Sequence, residues 1–218
     1  MSRTVGQKSH AFPNAYVDVD EPPNRTSREK FLALVGMFGA AYFGLTILVL
    51  HFEPTGYDPL RQAVSDYGVG RFAVEMQLGF FAGGISLVSL ALAFALADEG
   101  RVLKLGSLLL LIGGVALFIA GGFPTDIAGA AATLHGTIHS SLSLVVFTSA
   151  PIGMLLVSYG NGRRWFWTTM SALAAAGGFF AATLILSLDA GGVAERLFIL
   201  VLLLWWFAAS WRQFRTSG

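Results

Sequence analysis

The chain has 218 residues, of which 55% are hydrophobic and 12% charged, with a formal net charge of +1 and a mean hydropathy of +0.66. A soluble domain carries about 25% charged residues, so a globule this poor in charge cannot cover itself with water-compatible surface. That excludes an ordinary soluble enzyme and a disordered chain. The near-zero net charge excludes a nucleic-acid partner. With no Cys, disulfides, thiol nucleophiles and cysteine-held metals are absent.

Residues 1–30 are polar and hold Pro13, Pro22 and Pro23. They contain no apolar core of a signal peptide, and the composition predicts a disordered cytoplasmic tail. Six apolar runs follow, at about 31–50, 72–97, 102–123, 130–157, 165–188 and 193–211. Each approaches the ~20 residues that a helix needs to cross a bilayer. The predicted fold is an all-α integral membrane protein, a six-helix bundle over 31–211 with a short tail at 212–218. Eleven Lys and Arg fall on the side of the two termini and three on the other. The positive-inside rule then predicts both termini in the cytoplasm of a cell-membrane protein. Trp165, Trp167, Trp205, Trp206 and Trp211 crowd towards the cytoplasmic ends of helices five and six and read as interfacial anchors. Small residues recur at spacing four: Gly36, Ala40 and Gly44; Gly79 and Gly83; Ala174, Gly178 and Ala182. Such faces serve close packing within the bundle or a homodimer.

The predicted outer side holds the unusual polar residues. In the first outer loop, Asp58 suits a helix N-cap, Pro59 the first helical position, and Gly68 and Gly70 a stop. Leu60, Val64 and Tyr67 would share one face; Arg61, Gln62, Ser65 and Asp66 would share the other. This predicts a short amphipathic helix lying on the membrane surface as a lid, with or without chemistry. The second loop brings Phe123-Pro124-Thr125-Asp126 before His135 and His139, which are four apart and stack on one helix face. That spacing suits two imidazole ligands of one metal ion, with Asp126 and His51 completing the set. A zinc ion so held would generate a hydroxide nucleophile; the alternative is two hydrogen-bonding histidines. Ser65 beside Asp66, with a helix-four histidine, offers a weaker Ser-His-Asp arrangement. In the third loop, Glu195 and Arg196 open helix six, where they either cap the helix or bind an anion.

No ionisable residue occupies a helix centre, which speaks against an ion-coupled transporter. Two readings of function lead, and a transporter is the weaker third. One is a binding site for a lipid headgroup or small ligand, built around Asp58, Arg61 and Glu195. The other is a zinc-dependent hydrolase of lipids or amides, with His135, His139, Asp126 and His51 on the metal and Asp66, Ser65 and Arg196 at the reacting group. Membrane lipids are the expected partners in both.

The run Gly56-Tyr57-Asp58-Pro59-Leu60-Arg61-Gln62-Ala63-Val64-Ser65-Asp66-Tyr67, the element Phe123-Pro124-Thr125-Asp126 and the His135/His139 pair together resemble the membrane family catalogued as domain of unknown function 998. The resemblance covers about Phe31 to Trp211 and implies a six-helix prokaryotic membrane protein. In site chemistry the chain is also similar to the alkaline ceramidase and progestin-receptor-like membrane hydrolases, which combine Ser, Asp and paired His. It departs from them in having six predicted helices rather than seven and its His pair in helix four.

Overall fold

In hydrocarbon a backbone finds no partner but itself, so segments this apolar satisfy their own amides as helices. The computed structural model describes residues 27–54, 56–97, 100–127 and 129–215. The helices are α1 (Ser27–Phe52), α2 (Ala73–Ala97), α3 (Arg101–Ala120), α4 (Leu134–Gly160), α5 (Arg163–Ile185) and α6 (Gly191–Arg215). One 3-10 helix, Val64–Gly68, lies between α1 and α2. All six α-helices are long and apolar enough to cross a membrane. Even the shortest, α3 with 20 residues, rises about 30 Å. The chain is a multi-pass, all-α integral membrane protein. The tail expected over 1–30 lies outside the described residues up to position 26, while Ser27 to Lys30 form the first turn of α1.

Six crossings leave the ends of the described chain on one face, the terminal face. The α1–α2, α3–α4 and α5–α6 connections lie on the other, the loop face. Helices α1 to α4 pack in sequence, and α6 returns against α1. Helix α5 packs on α4 and α6 and buries only Thr169, Leu173, Ala176 and Thr183. Glycine makes the tightest crossings. A Cβ on Gly84 would lie 2.8 Å from the Gly114 carbonyl, and one on Gly114 would lie 2.8 Å from the Val88 amide, so α2 and α3 touch backbone to backbone. Gly79 and Gly83 make room for Phe43 of α1. The α5 stripe is different: Gly178 meets nothing within 4 Å.

Two tryptophans correct the reading of all five as interfacial anchors. Trp205 and Trp206 are 8% and 1% exposed. The Trp205 indole Nε1 donates to Ser158 Oγ at 3.1 Å and Thr169 Oγ1 at 3.0 Å, tying α6 to α4 and α5. A polar indole in the core needs such partners.

Candidate functional site

The first loop does not lie on the surface as one amphipathic helix. It breaks in two. At Asp58 the carboxylate accepts from the Leu60 amide (2.9 Å), while the Asp58 amide donates to Gln62 Oε1 (2.6 Å), which closes a tight turn. The chain then extends at Ala63 and re-coils as the 3-10 helix. Asp66 accepts from the Ala63 amide (3.1 Å) and so holds the start of that turn. Val64 and Tyr67 are 1% and 2% exposed, whereas Leu60 is 58% exposed. The expected shared face therefore splits, because only the 3-10 segment enters the bundle mouth. It is a plug rather than a lid.

Helix α6 holds the plug in place. Arg196 Nη1 donates to the Gln62 carbonyl (2.7 Å) and the Gly192 carbonyl (3.0 Å), and Nη2 donates to Tyr67 Oη (3.1 Å). The guanidinium also sits 5.3 Å from the Tyr67 ring centroid. One turn of the fork reads a backbone and a phenol at once, which a lysine cannot do. Beside it, Glu195 Oε2 accepts from the Val64 amide (3.2 Å). The Val193 amide donates to the Leu60 carbonyl (3.2 Å). Arg61 pairs with Asp189 at 2.6 Å and with Asp58 at 3.7 Å, all well exposed. This links the first and third loops, with little energy expected from so wet a contact.

The second loop is organised by Asp126. Its carboxylate accepts from Thr133 Oγ1 (2.6 Å) and the Thr133 amide (3.0 Å), and Thr133 Oγ1 in turn accepts from the Gly136 amide (3.1 Å), capping α4. A Cβ on Gly136 would collide with that carboxylate, so the glycine is the space into which Asp126 fits. His139 Nδ1 lies 2.8 Å from the Phe123 carbonyl and 3.2 Å from the Ala120 carbonyl. Both partners can only accept, so Nδ1 carries a proton, and in the neutral ring Nε2 is the acceptor.

These geometries bear on the two chemistries foreseen. His139 is 3% exposed, but His135 is exposed and packs on Phe123 with ring centroids 5.7 Å apart. His51 is exposed at the end of α1 against Phe52, and Asp126 is engaged by Thr133. Among the described residues no three His, Asp or Glu side chains form a group that could hold a metal ion. The zinc set of His135, His139, Asp126 and His51 is therefore not assembled. The physical reason is depth. His135 is the second residue of α4 and stands above the rim, while His139, about 6 Å further down, turns into the bundle. Nor is a triad assembled. His139 Nδ1 is oriented by carbonyls rather than a carboxylate, and no hydrogen bond joins Ser65 to His139 among the described residues.

What is assembled is a cavity of about 320 Å³ under the plug. Ser65, Thr125, His139, Ser140, Ser143 and Glu195 line it together with Phe43, Phe80, Leu117, Phe147, Ile199 and Trp206. Trp206 Nε1 is buried there with no hydrogen-bond partner among the described residues. Ser140 and Leu144 of α4 line the cavity and are also exposed. Helices α4 and α6 both contribute to the lining and make little direct contact with each other. Trp206, Phe43 and Phe80 were not among the expected site residues; helical spacing alone does not tell a cavity wall from a core.

The Asp66 carboxyl is held above its usual value, chiefly by burial, against the pull of the Ala63 amide and of nearby Arg196 and His139. Burial and then the Asp66 charge also raise Tyr57, whose phenol donates to the Val69 carbonyl (3.0 Å). A raised folded-state pKa means a contribution present below the unfolded value of 3.8 and lost as pH rises through the folded value. Asp66→Asn, whose amide oxygen can still accept from Ala63, is thus expected to match or exceed the wild-type Tm at pH 7. That advantage should shrink as pH falls to 3.8 and below; thermal unfolding in detergent across that range checks it. Asp126 has the opposite sign. The Thr133 hydroxyl and amide lower its pKa, so its contribution is present above 3.8 and lost as pH falls through the lower folded value. The Tm gap between wild type and Asp126→Ala should be full at pH 7 and close below that range.

The family model described as "Protein of unknown function (DUF998)" matches residues 37–212. The chain matches no curated protein and no solved structure. The matched stretch takes in both loop motifs, the α4 cap and nearly all of the six-helix bundle, and the chain belongs to the DUF998 family.

Proposed function

We propose that the protein binds one amphiphilic molecule, the polar end of a lipid or a small apolar ligand with a polar end, in the cavity beneath the first loop. One observation carries this reading. The cavity lining is mixed: the hydroxyls of Ser65, Thr125, Ser140 and Ser143, with His139 and Glu195, share it with aromatic and aliphatic walls that reach Trp206. A site of about 300 Å³ or more, mostly apolar with a few convergent polar groups, is the usual form of a small-molecule pocket. Exposed Ser140 and Leu144 of α4, which line the cavity, mark the path by which an amphiphile would enter from the surrounding leaflet. On the predicted orientation this is the outer leaflet. In its neutral form His139 offers an acceptor, and Ser65, Ser140 and Ser143 offer donors, which suits a hydroxylated or amide headgroup. Asp58 and Arg61 sit in the turn above and would meet the ligand only at its entry. The hydrolase alternative rests on a metal set and a triad that are not formed among the described residues, so binding is the function this geometry supports best.

The test is to purify wild type and Ser143→Phe from the same host in mild detergent, extract both and identify the co-purifying small molecules by mass spectrometry. Ser143 makes no hydrogen bond in the described structure, and a phenyl ring there fills the cavity. An amphiphile present near one per protein in wild type and lost in a folded Ser143→Phe is expected. Identical extracts from the two would overturn the reading.

A further inference from the structure

A second cavity, independent of the first, opens at the terminal face between the end of α4, α5 and α6, with a volume of about 640 Å³. Its mouth carries Arg163 and Arg164 from the start of α5 and Arg212 from the end of α6. Among the described residues no carboxylate lines it, and Arg212 Nη2 donates to the Asn161 carbonyl (3.5 Å). Gly162, the N-cap of α5, makes no side-chain cap and lines the same mouth, so the positive end of the helix adds to it. Trp165 stands between the arginines. Its ring lies 5.1 Å from the Arg212 guanidinium carbon, and its Nε1 is buried with no hydrogen-bond partner among the described residues. Below this cationic rim the walls are apolar: Ala172 on one side, Val201, Leu204 and Ala208 on the other. From Arg212 to Val201 the slot follows α6 for about 16 Å by helical rise.

A cationic rim with indole and amide donors over a long apolar slot fits one kind of molecule. We infer that this cleft binds an anionic phospholipid, with the phosphate at Arg163, Arg164 and Arg212 and an acyl chain between α5 and α6. Free phosphate would satisfy the rim but leave the slot empty; a zwitterionic lipid would fill the slot but bring its own cation to a rim of three arginines. The position agrees with the orientation predicted from Lys and Arg, which turns the terminal face to the anionic cytoplasmic leaflet. The lipid also has structural work. α5 buries only four residues of its own, and an acyl chain in the slot supplies the contact that its small side chains lack.

The experiment is native mass spectrometry and thermal unfolding of the full chain in detergent, with phosphatidylglycerol, phosphatidylcholine of the same chains, or inorganic phosphate added. Wild type is expected to bind phosphatidylglycerol about tenfold more tightly than phosphatidylcholine, and to gain several degrees of Tm from it alone. Arg163→Gln/Arg164→Gln/Arg212→Gln should abolish the preference. Ala172→Phe, which blocks the slot and spares the arginines, should abolish binding of the phospholipid. Equal binding of the two phospholipids would overturn the inference, as would equal stabilisation by phosphate or a preference that survives both variants. Ser143→Phe, in the other cavity, should leave the preference intact.

Discussion

Arg196→Leu is expected to cost about 2–4 kcal/mol of stability, the largest effect of any single polar substitution on the loop face. Three hydrogen bonds end on this guanidinium, to the Gln62 carbonyl, the Gly192 carbonyl and Tyr67 Oη, and the first and third of them join α6 to the loop. A further contact to the Tyr67 ring is lost with them. Arg196→Lys should recover only part of the loss, since one ammonium cannot reach the Gln62 carbonyl and Tyr67 Oη in the same geometry. Arg61→Leu is the control. Its ion pair with Asp189 is short at 2.6 Å but exposed, and its removal should change Tm little. Thermal unfolding of the four proteins in one detergent makes the comparison. Equal losses for Arg196→Leu and Arg61→Leu would show that the plug is not held by Arg196.

Gly192→Val should be at least as damaging, by about 3 kcal/mol or more. A Cβ at this position would lie 2.5 Å from the Gln62 carbonyl oxygen and 2.6 Å from that of Pro59. Both obstacles are backbone, so no side chain can swing aside. The N-terminus of α6 and the first loop would have to separate, which withdraws Val64 and Tyr67 from the core together. Gly191→Val, one position earlier, meets only the Arg61 carbonyl at 3.8 Å and should be far milder. A shared Tm for the two variants would contradict this account of the α6–loop contact.

The two predictions concern the part of the molecule that the sequence described least well. The membrane spans were legible because hydropathy and helical length decide them locally. The clustering of Ser65, Asp66, His139, Glu195 and Arg196 at one end was legible too, since topology alone carries three loops to one face. Depth and direction were not. His135 and His139 share a helix face, yet one stands above the rim and the other points at carbonyls within it. Leu60, Val64 and Tyr67 share a face only if the segment is one helix, and the turn closed by Asp58 and Gln62 breaks it. The tryptophans failed for a related reason. Trp206 lies near a helix end in sequence, but α6 turns it inward to the cavity, and rotation about the helix axis depends on neighbours from four other helices. Asp126 shows the reverse. A carboxylate with metal-ligand chemistry is engaged instead by Thr133, a role that a position seven residues before the N-cap does not advertise.

The most direct measurement is native mass spectrometry of the protein released from lipid nanodiscs, wild type beside Ser143→Phe and His139→Phe. The cavity account predicts one retained amphiphile on wild type, held through activation that strips annular lipid, and none on either folded variant. Retention of the same mass by all three, or by none, would contradict it.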